Sequence, residues 1–263
     1  MKFNDIDFNK WKEEDINVDS LWIYNEREKS GKHKNHYHGN FIPQIPKQLI
    51  KRFTKKGDIV FEPFMGSGTT LFECENLERK YIGFDINSEI IEYVNKNMED
   101  SDSSKYFITE NDSTNGNQSA ENLNFGLGKF GKQKFQLAIL HPPYWDIIKF
   151  SNNEKDLSNA KTLEEFLSLM KTSIQISYDF LEKERYFAIV IGDAYKNKEI
   201  LPLSFYMLHL VKKNFDVLLK GIIIKNIEGN RGKIGANNIW KYRAMKSDYY
   251  IFKHEYILVF KKQ

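Results

Sequence analysis

The chain has 263 residues, 41% of them hydrophobic and 29% charged, which suits one large domain or two small ones and excludes wholesale disorder. The formal net charge is only +3, so bulk charge does not select a polyanionic partner. A single cysteine, Cys74, excludes an internal disulfide framework and a cysteine-based zinc cluster.

Met1-Lys2-Phe3-Asn4-Asp5 has no apolar run behind its charge, and no stretch approaches the ~20 apolar residues that span a bilayer. The chain therefore reads as a soluble cytoplasmic protein without a membrane partner. Residues 1–40 are polar and aromatic, with Trp11, Trp22 and a cluster of His33, His36 and His38. His36 and His38 would fall on opposite sides of a strand, and no cysteine or carboxylate nearby completes a ligand set, so no metal is expected. Pro43 and Pro46 open a helix at about 43–56, with Leu49, Ile50 and Phe53 at helical spacing.

An alternation follows. Residues 57–62 read as a buried strand, 69–79 as a helix, 81–85 as a second strand and 89–98 as a second helix. Residues 106–109 read as a third strand, and 110–134, rich in Asn, Ser and Gly, as a long loop. Strands at 135–140 and 186–191 flank a long helix at 162–183, and a helix at about 202–213 follows. Strands alternating with helices predict an α/β fold with a mainly parallel sheet covered on both faces. The last two strands, 217–225 and 256–261, have no clear helix between them and should pair antiparallel. That makes seven strands, the last antiparallel.

Two motifs point to a nucleoside cofactor. Glu62-Pro63-Phe64-Met65-Gly66-Ser67-Gly68-Thr69-Thr70 lies between the first strand and its helix, where glycines allow a tight turn and close approach to a ligand. Asp85 ends the second strand, 17 residues after Gly68, where a ribose-binding carboxylate belongs. The alternative is a plain tight turn with Asp85 capping a helix. A phosphate-binding P-loop is excluded, because Gly-Lys-Ser/Thr is absent.

His141-Pro142-Pro143-Tyr144 follows the fourth strand. Together with Pro63 to Thr70, this turn resembles the amino-methylating DNA methyltransferases, which modify N6 of adenine or N4 of cytosine. The resemblance covers about residues 38–150. It implies a Rossmann-like methyltransferase sheet, S-adenosylmethionine as cofactor and duplex DNA as partner, and leaves open a cognate restriction enzyme or a second copy of the chain. In that family the Gly-rich turn binds the cofactor and the Asp/Asn/Ser-Pro-Pro-Tyr tetrapeptide holds a flipped base. The resemblance assigns His141, Pro142, Pro143 and Tyr144 to catalysis. It assigns Glu62, Pro63, Phe64, Gly66, Ser67, Gly68, Thr69 and Asp85 to the cofactor, with Asn40 and Phe41 at its methionine end and Asp112 near its adenine.

The chemistry suits such a turn. An exocyclic amine is a weak nucleophile because its lone pair is delocalised into the ring. Acceptors on its hydrogens favour a pyramidal nitrogen. Prolines fix a main-chain carbonyl in that role, the side chain at 141 supplies a second acceptor, and Tyr144 can stack on an extruded base. Histidine departs from the family pattern. Neutral imidazole has one acceptor nitrogen and imidazolium none, so methylation should fall as His141 protonates. The choice between adenine and cytosine stays open. Cytosine-C5 chemistry is disfavoured, because Cys74 falls inside a helix.

Charge is uneven along the chain. Residues 220–263 hold ten Lys/Arg against three Asp/Glu, which leaves residues 1–219 at −4. Within them, 226–253 is basic and aromatic, and Arg231, Lys233, Asn238, Trp240, Lys241 and Arg243 are candidate DNA contacts. The expected organisation is an N-terminal arm at 1–40 and a catalytic domain at 41–263, with the DNA-contacting insert at about 226–253. The closest alternatives are an RNA amino-methyltransferase, a protein-glutamine methyltransferase, and a nucleic-acid-binding subunit that has lost catalysis at position 141.

Overall fold

A computed structural model describes residues 2–33, 39–145, 156–227 and 237–263, the side chains of Asn237, Asn238 and Trp240 excepted. In chain order the elements are β1 (Leu21–Trp22), α1 (Gln44–Phe53), β2 (Ile59–Glu62), α2 (Thr69–Asn76), β3 (Lys80–Asp85), α3 (Ser88–Asn97), β4 (Tyr106–Glu110), α4 (Gly116–Lys129) and β5 (Phe135–Leu140). There follow α5 (Leu163–Phe180), β6 (Leu181–Ile191), β7 (Ala194–Lys196), β8 (Glu199–Leu201), α6 (Leu203–Asn214), β9 (Val217–Asn226), α7 (Asn237–Lys246) and β10 (His254–Lys262).

The main sheet has eight strands in the order β1-β9-β10-β6-β5-β2-β3-β4. β10 is antiparallel to both its neighbours, β6 and β9, and every other pairing is parallel. The chain runs outward from β2 through β3 to β4, then returns to the other side of β2 as β5. In open α/β sheets, ligands bind beside such a switch point, at the carboxyl ends of the strands.

Alternate residues of the central strands feed two cores. Ile59, Phe61, Ile82, Phe84, Ala138, Leu140, Phe187 and Ile189 face a cluster with buried residues of α4, α5 and α6. Val60, Tyr81, Leu137, Ile139, Ala188 and Val190 face a second cluster with α1, α2 and α3. The near-continuous apolar runs of β5 and β6 follow from burial on both faces. Cys74 is fully buried in the second cluster.

Several expectations need correcting. Residues 110–134 are not one loop, because 116–129 form α4. Glycines and asparagines hide this helix in the sequence. Asn115 caps it by accepting from the Gln118 N–H at 3.2 Å. A Cβ on Gly126 would lie 2.6 Å from Cδ1 of Phe107, so close packing on β4 requires glycine despite its poor helix propensity. The last two long strands do have a helix between them, α7. The sheet gains an eighth strand from β1, whose two residues pair with Ile224 and Lys225. His33 Nε2 lies 2.5 Å from Glu73 Oε1, with both side chains buried, a pair that does not complete a ligand set. His36 and His38 lie outside the described residues.

Candidate active site at the carboxyl edge of the sheet

β2 and β5 are parallel neighbours, with Val60 opposite Leu137 and Phe61 opposite Ala138. Residues 63–68 and 141–144 therefore leave the sheet from the same edge, side by side. Phe64 and Tyr144 pack on one core cluster. Residues 40–41 bridge the two segments: Asn40 Nδ2 donates to Ser67 Oγ, and the Phe41 ring lies against that of His141, 4.6 Å between centroids.

The Gly-rich turn is held from several directions. Gly66 and Gly68 have φ of +54° and +84°, a region that disfavours any side chain. The Met65 N–H donates to the Phe84 carbonyl at 2.8 Å, and the Gly66 N–H to Asp85 Oδ2 at 2.8 Å. Ser113 Oγ donates to the Pro63 carbonyl at 2.6 Å. The ends of β2, β3 and the segment after β4 are thus stitched into one rim.

Asp85 is half-buried at this rim, and its other oxygen accepts from the Asn87 N–H at 3.0 Å. Burial pushes its carboxyl up to about 6, against the opposing effect of the Asn87 and Gly66 N–H groups. Each oxygen accepts from one of these two N–H groups, and the acceptor capacity of a carboxylate leaves room for a hydroxyl. Thr69 Oγ1, at the start of α2, is buried with no partner among the described residues. These features fit a ribose-bearing cofactor. Asp112 is half-buried and accepts from Thr114 N–H and Oγ1 at 2.9 and 2.6 Å.

Glu62 sits differently. It is 1% exposed, and its two oxygens accept from Thr70 Oγ1 at 2.7 Å and Tyr81 Oη at 2.6 Å. Burial pushes its carboxyl up to about 8. Among the described residues it braces the turn from beneath and touches no open surface.

The second turn is equally anchored. Trp145, with φ of +51°, is buried and its Nε1 donates to the Ala160 carbonyl at 2.9 Å. The Tyr144 ring lies against Gly192, where a Cβ would come within 2.8 Å of Cε2. Tyr144 Oη donates to Glu255 Oε2 at 2.8 Å, and His141 Nε2 lies 3.2 Å from the same Oη. Glu255 Oε1 pairs with Lys225 Nζ at 3.1 Å, and both residues are buried. Burial pushes the His141 imidazole down to about 4, with Glu255 raising it and Lys225 lowering it. The imidazole is therefore neutral at neutral pH and retains one acceptor nitrogen.

No motif in the sequence singles out Glu255, Lys225, Gly192, Ser113 or Trp145. Lys225 and Glu255 are found only through the strand register, since β9 and β10 carry other lysines that leave no distinguishing pattern. Of the candidate DNA contacts, Lys241 and Arg243 are exposed on α7. Asn238 and Trp240 belong to the same helix, while Arg231 and Lys233 lie outside the described residues. No helix among the described residues is long and apolar enough to cross a membrane.

Residues 2–96 and 135–263 match the DNA methylase family (N6_N4_Mtase). A Type II methyltransferase of Methanocaldococcus jannaschii, M.MjaII, is 50% identical over 50 residues, 19% of this chain and 9% of that protein. Another, M.BamHI of Bacillus amyloliquefaciens, is 36% identical over 94 residues, 35% of this chain and 22% of that protein. The matched stretches thus span a small part of these relatives. Among solved structures, TrmN from Thermus thermophilus aligns with a TM-score of 0.53 at 13% identity, over 86% of this chain and 50% of that one. A SAM-dependent methyltransferase from Methanosarcina mazei aligns with a TM-score of 0.51 at 11% identity, over 81% and 96%. These likenesses are of fold.

Proposed function

The chain belongs to the DNA methylase family, and from that premise we propose that it transfers a methyl group from S-adenosylmethionine to an exocyclic amine of a base in duplex DNA, adenine N6 or cytosine N4. The observation that carries this reading is the bridge at residues 40–41. Asn40 bonds Ser67 in the Gly-rich turn while Phe41 packs on His141 in the Pro-Pro-Tyr turn, so donor and acceptor segments share one rim.

When bound, the cofactor supplies an electrophilic methyl on a sulfonium. The protein supplies placement. Asp85 receives the ribose hydroxyls, and residues 63–69 with Asn40 and Phe41 hold the rest of the molecule. The flipped base enters beside Pro142 and Pro143, whose restricted backbone fixes carbonyl acceptors for the amine. His141 accepts from the amine's second hydrogen, which localises the nitrogen lone pair for attack. Formation of the N–CH3 bond would break the S–CH3 bond, leave S-adenosylhomocysteine and release one amine proton to solvent. Much of the rate comes from holding two reactants in line.

α7 and its flanks supply duplex contacts. Lys241 and Arg243 present cations without a nearby run of acids, as phosphate contacts require. The names of the curated relatives favour a restriction–modification setting, with a cognate endonuclease as a functional partner.

The test is transfer of tritiated methyl from S-adenosylmethionine to duplex DNA, with RNA and protein as parallel acceptors. Nucleoside mass spectrometry then separates N6-methyladenine from N4-methylcytosine. Label appearing in RNA or protein but not in DNA would overturn the reading.

A further inference from the structure

We propose that Glu255 is a positioning residue that acts through Tyr144 to hold His141 in the tautomer protonated on Nε2, leaving Nδ1 bare as the acceptor for the target amine. The tautomer follows from the network alone; its use toward an amine rests on the function proposed above.

A four-membered chain of side chains carries the inference: Lys225, Glu255, Tyr144 and His141. Lys225 and Glu255 face each other in the register of β9 and β10, with Nζ and Oε1 3.1 Å apart. An ammonium can only donate and a carboxylate can only accept. Tyr144 has one hydroxyl proton, and its Oη lies 2.8 Å from Glu255 Oε2. If that proton pointed elsewhere, two lone-pair oxygens would face each other at hydrogen-bond distance inside the protein. A proton on Oε2 instead would set a neutral acid against the buried Lys225 ammonium, leaving that charge uncompensated. The proton of Tyr144 is therefore committed to Glu255.

Oη can then only accept. His141 Nε2, 3.2 Å away, must bring the proton of that bond. A neutral imidazole has one N–H, so Nδ1 is left with its lone pair. Nδ1 has no protein partner among the described residues. Without the relay, the imidazole could carry its proton on either nitrogen. A fraction of the molecules would then present a donor where an acceptor is needed. Burial, which holds the imidazole neutral down to about 4, keeps the second proton off.

The packing supports a positional rather than a merely space-filling role. The Tyr144 ring rests against Gly192 at a distance that excludes a Cβ, and the ring of His141 is backed by Phe41 at 4.6 Å. The two rings meet edge to face, with their planes at 81°. The antiparallel end of the sheet, remote in sequence from either motif, thus reaches the reaction centre.

The experiment is two-bond 1H–15N correlation spectroscopy on protein labelled with 15N-histidine, with His141→Asn identifying the resonance. The expected wild-type spectrum shows His141 protonated on Nε2. Tyr144→Phe keeps the flat ring and removes only the hydroxyl. It should move His141 toward a mixture of tautomers and lower kcat in proportion to the fraction protonated on Nδ1, with affinity for S-adenosylhomocysteine unchanged. Glu255→Gln can donate into Oη and turn the tyrosine proton toward His141, so it should shift the population toward Nδ1–H. Circular dichroism checks folding, and Tyr144→Phe remains informative if Glu255→Gln does not fold. A wild-type signal protonated on Nδ1, or a tautomer unmoved by either substitution, overturns the relay. If the relay holds but His141→Ala, which has no acceptor, methylates as fast as wild type, the proposed role of His141 toward the amine fails instead.

Discussion

Phe41 and His141 lie ring against ring, their centroids 4.6 Å apart and their planes at 49°. Phe41 is 5% exposed, sits just before α1 and belongs to the core cluster beneath the Gly-rich turn, while His141 closes β5. One side chain thus couples the segment beside the Gly-rich turn to the Pro-Pro-Tyr turn. Phe41→Ala should weaken S-adenosylhomocysteine binding and also lower kcat, whereas Phe41→Leu should largely preserve both. The alanine variant should also lose about 3 kcal/mol of stability, as expected for truncating a buried phenylalanine. Calorimetric titration and urea denaturation check the two effects. A change confined to stability would separate Phe41 from the site.

The acid limb of the reaction should lie far below neutrality. Imidazolium cannot accept a hydrogen bond, and burial pushes His141 down to about 4. The rate should be insensitive to His141 from neutral pH to about 5 and fall only as pH approaches 4. Stability has the matching sign. The unfolded chain binds a proton near 6.5 that the folded chain refuses until about 4, so folding weakens as pH drops through that window. A pH–rate series on wild type and His141→Asn checks this, with the limb present only in the former.

Glu62 works in the opposite sense. Its carboxyl is pushed up to about 8 by burial, against an ordinary value of 4.5. Between those values the folded state holds a proton that the unfolded state has released. Its contribution is therefore full below 4.5 and is lost as pH rises to 8. Glu62→Gln, which mimics the protonated form, should flatten this fall in melting temperature. The variant should become the more stable protein toward pH 8, as differential scanning calorimetry can test.

Gly192→Ala should displace Tyr144, because the new Cβ would fall 2.8 Å from its ring. The ring must turn, and its hydroxyl leaves Glu255. The expected result is a fall in kcat of about tenfold to a hundredfold, the scale on which small misplacements reduce rates, with cofactor affinity retained. Steady-state kinetics beside a binding titration separate the two.

Lys241→Ala and Arg243→Ala should weaken binding to any duplex roughly equally. For every phosphate that a substitution leaves unneutralised, the slope of log K against log salt should become shallower by about 0.9. Fluorescence anisotropy at several salt concentrations measures it. An unchanged slope in the double variant would remove α7 from the duplex interface.

The central sheet and both turns are legible in the sequence for a physical reason. Strands buried on both faces read as apolar runs, and glycine or Pro-Pro at their carboxyl ends marks where the backbone must approach a ligand. The hidden elements are those for which tertiary structure overrides local preference. α4 carries Gly126 because Phe107 leaves no room for a Cβ. β1 is two residues long and exists only because β9 offers an open edge. Glu255 and Lys225 belong to the site through a cross-strand register that no local pattern encodes. The same holds for Tyr144: its neighbours in sequence suggest a flat stacking surface, whereas its hydroxyl answers to Glu255, 111 positions away.

Residues 20–24 clamp the strand that carries Lys225. The Ile224 N–H donates to the Ser20 carbonyl at 2.8 Å, and the Asn226 side chain bonds both the N–H and the carbonyl of Tyr24, 202 positions away. This splint covers amides that would otherwise invite a foreign strand. It also sets the height of Lys225 beneath Glu255. A nick or a missing stretch upstream of Tyr24 should therefore reach the imidazole through Lys225, Glu255 and Tyr144 and lower turnover.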